Sequence, residues 1–157
     1  MLKKYLQILD ESLDKKIQIL TDVENLSKEQ NTLIENESSY EDIDANMDKK
    51  ADLIDEINKM DDGFQAMYDN IKTELGKKPN AYKSEIASLQ AKIKIVMEKS
   101  TSIEALEARN KKAMEGYFTS SHKDNRQRLT HVAAVQDYYK SANKLNAIVP
   151  QFMDQKK

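Results

Sequence analysis

The chain has 157 residues, 39% of them hydrophobic and 33% charged, with a formal net charge of −2, three Gly, two Pro and no Cys. A mean hydropathy of −0.78 leaves too little apolar material for a thick globular core, but enough for narrow stripes between long helices. With no Cys, disulfides and thiolate metal sites are excluded.

The small net charge hides an asymmetry. Residues 119–157 carry seven Lys/Arg against three Asp, or +4, which leaves residues 1–118 with 18 basic and 24 acidic residues, or −6. An acidic body argues against duplex nucleic acid or an anionic membrane as partner. The opening MLKKYLQILDES is basic and then apolar, but Gln7 and Asp10 break the run too early for a signal peptide. No window approaches 18 uninterrupted apolar residues, so no membrane insertion is expected, and a cytoplasmic location is.

In chain order, Leu2, Leu6, Leu9, Leu13, Leu20, Val23 and Ile34 follow a 3-4 alternation, with Ile17 close to it and Lys16, Ser27 and Gln30 interrupting it. This spacing predicts one helix over about 2–35, roughly 50 Å long. Ser38 followed by Glu41 then reads as a capping box, opening a second helix over about 38–76. Its stripe is Tyr40, Ile43, Met47, Ile54, Ile57, Phe64, Tyr68, Ile71 and Leu75, with Lys50 and Asp61 on the same seam. Gly76, two lysines and Pro79 stop it. A third stripe, Tyr82, Ile86, Leu89, Ile93, Val96, Ile103, Leu106, Asn110, Met114 and Tyr117, predicts a helix over about 80–118. Short links predict that these three form a long antiparallel bundle over 1–118, up-down-up, packed like a coiled coil at roughly 20°.

TSSHKDNRQRLTH, residues 119–131, has Leu129 as its one apolar residue and reads as a polar hinge. Beyond it, Val135, Tyr138, Ala142, Leu145 and Val149 share one face of an amphipathic helix over about 132–149. Pro150 ends this helix, and 150–157 is expected to be a disordered tail. Adjacent Tyr138 and Tyr139 point about 100° apart, so they widen the apolar face beyond a two-helix seam. Such a band either closes the bundle as a fourth helix or receives a partner helix.

Chemistry is sparse. His122 and His131 match no zinc pattern, and neither has a Glu three residues before it, as a carboxylate-bridged di-iron bundle needs. Both read as solvated surface residues. The second helix carries ten acids against three lysines between Glu37 and Asp62, read as a solvated face. Starting a calcium loop at Asp44, Asp48 or Asp52 fails at the required Gly. There is no phosphate-binding glycine motif and no nucleophile elbow. No catalytic residue, cofactor or metal is expected, and the chain does not read as an enzyme.

The stretch MDKKADLIDEINKMDDGFQAMYDNIKTEL resembles the second helix of FlgN-type flagellar export chaperones, with a Lys before a Leu-Ile pair and a further Ile. IEALEARNKKAMEGYF is similar to the end of that family's third helix, and the first helix with LSKEQ also fits. The resemblance spans nearly the whole chain. It implies a small cytosolic chaperone that binds the C-terminal amphipathic helices of hook-filament junction proteins. Such a chaperone prevents their premature assembly and brings them to the export gate of the flagellar type III apparatus. It also implies a client site in the C-terminal helix, carried here by Val135, Tyr138, Tyr139, Ala142, Leu145 and Ile148. Covering a client face of roughly 600–800 Å² removes apolar surface worth about 25 cal/mol per Å², before association costs.

Two other readings stay open. A structural coiled coil, compatible with a homodimer, would use Lys50, Asp61, Gln30 and Asn110 to set register. A four-helix flagellar chaperone of the FliT or FliS kind is the other. A membrane-curving bundle is disfavoured by the acids of the second helix.

Overall fold

The computed structural model describes the backbone of residues 2–78, 80–120 and 125–142. Within them lie four helices: α1 (Leu2–Glu35), α2 (Tyr40–Lys77), α3 (Lys83–Ser120) and α4 (Asn125–Ala142). The described residues contain no strand. The chain is a helical bundle in which α1 packs along both α2 and α3, while α4 packs against α2 and α3.

The core is the set of stripes. Leu6, Leu9, Leu20 and Val23 of α1 meet Ile43, Ile54, Ile57 and Tyr68 of α2 and Leu89, Ile93, Ile103 and Met114 of α3, all essentially sealed from water. The residues interrupting the stripes are buried too. Lys16, Ser27, Gln30, Asn46, Lys50, Asp61, Glu107 and Asn110 lie inside, each held by at least one hydrogen bond from a neighbouring helix. Asn46 donates to the Leu26 carbonyl at 3.0 Å, and Asn110 to the next carbonyl, Ser27, at 2.7 Å. These bonds pin α1 from two neighbours at one level. Lys16 meets Asp61 at 2.5 Å, and Lys92 reaches Asp10 at 2.5 Å and Asp14 at 2.8 Å.

The helix ends differ in detail from expectation. Glu37 turns α1 off in the left-handed region, φ 51°. The Ser38 N–H bonds the Leu33 carbonyl and the Glu37 N–H bonds the Ile34 carbonyl, which is a Schellman closure. The cap of α2 is Ser39, not Ser38: its hydroxyl accepts from the Asp42 N–H at 3.2 Å. Ser38 instead offers its carbonyl to the Tyr117 hydroxyl at 2.7 Å. Gly76 does not stop α2, which runs on to Lys77. Helix α4 begins at Asn125, inside the stretch read as a hinge. Arg and Gln are good helix formers, so a polar run is no bar to helix. Residues 143–157, including the last turns expected of the C-terminal helix and the tail, lie outside the described residues.

Candidate functional site

Of the proposed partner-binding residues, Val135, Tyr138, Tyr139 and Ala142 fall on α4. Its stripe is buried over the half that is described: Val135, Tyr138 and Tyr139 are each 6% exposed, packed into the core cluster. Ala142 is the last described residue of α4 and its side chain lies outside the described residues, as do Leu145 and Ile148 entirely. The structure therefore brings together three of the six residues, with α4 docked on the bundle.

Adjacent Tyr138 and Tyr139 are both buried because α4 has neighbours on two sides, α2 and α3. The rings meet edge to face at 4.9 Å, as aromatic quadrupoles prefer. Beneath them lies a charged layer contributed by α1, α2 and α3. The Lys50 ammonium donates to Gln30 Oε1 and, at 2.7 Å, to Glu107 Oε1. The Ser27 hydroxyl donates to the same carboxylate oxygen at 2.6 Å. Gln30 Nε2 donates to the Tyr139 hydroxyl at 3.3 Å, tying α4 to α1 through the layer. The Tyr138 ring lies 4.7 Å from the Lys50 ammonium, within cation–π range.

The layer is imperfectly satisfied. Glu107 Oε2 and the Tyr138 hydroxyl are both buried, and though Glu107 lies close enough to act on the phenol, neither atom makes a well-aligned hydrogen bond. Burial pushes the Lys50 ammonium below its ordinary value, and the adjacent Glu107 only partly offsets this. Burial pushes the Tyr138 and Tyr139 phenols far above theirs, and the charge of Glu107 adds to the rise. So the Tyr138 ring of α4 lies against one member of a buried charge pair.

A second set of contacts holds the start of the docked face. His131 Nδ1 lies 2.6 Å from Asp44 Oδ2, close enough for an ion pair, though without hydrogen-bond alignment. The imidazole stacks on Tyr40 at 4.3 Å, and Tyr40 packs edge to face on Tyr117 at 5.4 Å. His131 is thus a half-buried contact residue, which corrects the solvated reading. His122 lies outside the described residues. The acids of α2 are corrected in part: Asp61 is buried on Lys16 and Asp44 is half-buried on His131, while Asp42, Asp48, Asp52, Asp55 and Asp62 are exposed.

Glu107 escaped the sequence reading, although the signal exists. It falls four residues after Ile103 and three before Asn110, on the α3 stripe. Among the described residues, no group of three or more His, Asp or Glu is placed to hold a metal, and no helix is long and apolar enough to cross a membrane. Compared with protein-family models, curated proteins and solved structures, the chain finds no match.

Proposed function

We propose that this chain is a non-enzymatic helix-capturing chaperone of the flagellar export type, acting in the cytoplasm on the amphipathic C-terminal helix of a hook-associated client. Its frame is an up-down-up trio. The pairings support this: Lys16 with Asp61 and Lys50 with Gln30 run α1 and α2 in opposite senses. Asp10 with Lys92 and Ser27 with Asn110 run α1 and α3 in the same sense.

The observation that carries the reading is the charged layer under α4. Burying Val135, Tyr138 and Tyr139 contributes roughly 1.5–3 kcal/mol each. Desolvating Lys50 and Glu107 costs several kcal/mol per ion, repaid only partly by their attraction. Docking of α4 is therefore a balance of opposed terms of similar size, and a partner helix that engages the same aromatic face has little to overcome. A fully apolar seat would hold α4 far more firmly.

The coiled-coil scaffold reading is less favoured, because Asp61, Lys50, Gln30 and Asn110 all find partners within one chain. Calorimetric titration of the full chain with the C-terminal helix of a hook-filament junction protein tests the proposal. Micromolar or tighter binding, weakened at least tenfold by Tyr138→Ala with Tyr139→Ala, is expected. Binding undiminished by that pair removes α4 as the client site.

A further inference from the structure

Between α2 and α4 lies an open cleft of about 370 Å³. Its floor is apolar, from Met47, Ala51, Ala134 and Tyr138, and its rim is acidic, from Asp48 and Asp137. Asp44 lines it as well, beside His131. At the small end of the usual range of ligand pockets, roughly 300–1,000 Å³, the cleft seats a few side chains and not a whole helix.

We infer that this cleft is a docking seat for a partner segment in which apolar side chains are flanked by Lys or Arg, so that the captured helix is basic on the side it turns toward α2 and α4. The inference rests on the helix-capture reading and adds the chemistry of the captured helix as it first meets the bundle, with α4 still against α2.

Charge complementarity carries it. Both rim carboxylates are exposed, and neither Asp48 nor Asp137 has an ion-pair partner among the described residues. Among the described residues no Lys or Arg lines the cleft; Lys50 is close, under the Tyr138 ring, but it is spent on Gln30 and Glu107. Asp52 and Asp55, exposed further along α2, lie outside the cleft, and Asp55 pairs with Lys59 at 3.7 Å. A long cationic side chain can lay its methylenes on Met47 and Ala134 and keep its head among the carboxylates. An ammonium or guanidinium is also a donor, which the rim carboxylates accept. Asp44 adds weight from the same geometry. Burial raises its carboxyl above the ordinary value, the charge of His131 works against this, and the charges of Asp48 and Glu41 push it up further. An arriving cation relieves that repulsion. An anionic helix meets three carboxylates and no free cation on the lining.

Three model helices of 18 residues, sharing one leucine stripe and flanked by Lys, Gln or Glu, test this by fluorescence anisotropy with the full chain at physiological salt. The Lys helix is expected to bind at least tenfold more tightly than the Gln helix, and the Glu helix not at all. Asp48→Lys with Asp137→Lys is expected to abolish the Lys preference. Asp52→Lys with Asp55→Lys, the same charge change outside the cleft, is expected to alter it less than threefold. Ala134→Arg, which supplies a cation from the chain itself, is expected to weaken the Lys helix at least fivefold. Equal losses from both double variants would show a diffuse field and overturn the seat. So would a self-associated chain that dissociates on Asp48→Lys with Asp137→Lys, since the occupant would then be a second copy. Equal binding of the Lys and Gln helices overturns the inference and leaves helix capture standing, whereas no binding by any helix overturns both.

Discussion

The Lys50 ammonium lies 2.7 Å from Glu107, with the lysine side chain fully sealed and the glutamate 9% exposed, and the pair joins α2 to α3 across the middle of the bundle. Removing one partner leaves the other charged and buried, which typically costs about 3–5 kcal/mol. Lys50→Met is expected to destabilise by that amount. The double variant Lys50→Met with Glu107→Leu is expected to recover more than half of it, since an apolar pair of similar volume avoids the desolvation. Urea melts of the four proteins of the cycle measure this. A double variant as unstable as the sum of the singles would show no coupling between the two side chains and contradict this account.

The phenols above that pair give an alkaline signature. Burial, with the charge of Glu107, raises Tyr138 and Tyr139 well above the ordinary value of 10.0. A group raised in the folded state contributes stability that is present below its unfolded value and lost as pH rises through the folded one. Absorbance at 295 nm should therefore show a fraction of the seven tyrosines failing to ionise near pH 10. Those are expected to ionise in one cooperative step with loss of helix. In the Tyr138→Phe, Tyr139→Phe variant that late step should shrink.

At the other end of the bundle, acid acts with two signs. Burial works to raise Asp10, but bonds from Lys92 and Ser88 outweigh it and hold its carboxyl below 3.8. Its contribution is present above 3.8 and lost as pH falls through the folded value. Asp61 has the reverse sign: burial raises it against the pull of Lys16, so its contribution becomes more favourable as pH falls through its folded value. Asp10→Asn is expected to lower stability at pH 7 and to match the parent chain at pH 2. Denaturation followed at both pH values decides; a gap that persists at pH 2 would mean the carboxylate charge is not the cause.

Glu37 closes α1 in a conformation that suits glycine. Left-handed backbone costs an L-residue roughly 1–2 kcal/mol, and glycine's extra unfolded-state entropy offsets part of the relief. Glu37→Gly is expected to gain about 0.5–1 kcal/mol, raising the thermal midpoint by about 1–4 °C. A lower midpoint would place the Schellman closure outside solution behaviour.

The helices were largely legible because each long one shows a 3-4 stripe that persists through its polar interruptions. Leu2 to Ile34 marks α1 from end to end, and its buried face follows that stripe. The polar interruptions were visible as positions but not as partners. Nothing local tells Lys50 that it meets Glu107, 57 residues on, because that pairing is made by three-helix packing. Glu107 and Asp61 look like solvated charges among many others, and only their place on a stripe distinguishes them. His131 was misread for a similar reason: its partners Asp44 and Tyr40 come from α2. The start of α4 was placed late because apolar periodicity begins at Val132, while the polar turns before it are helical without an apolar signal.

Amide hydrogen exchange on the full chain, with and without an amphipathic client helix, reads the balance under α4. Local opening free energies span from near zero to the global value. Without client, 125–142 should exchange with protection far below that of α1 at Leu20–Val23, and client should alter protection in 125–142 and in α2 over 40–55 while leaving 83–103 unchanged. If 125–142 is as protected as α1 and client changes nothing there, α4 is a fixed wall of the core and not a helix that meets a partner.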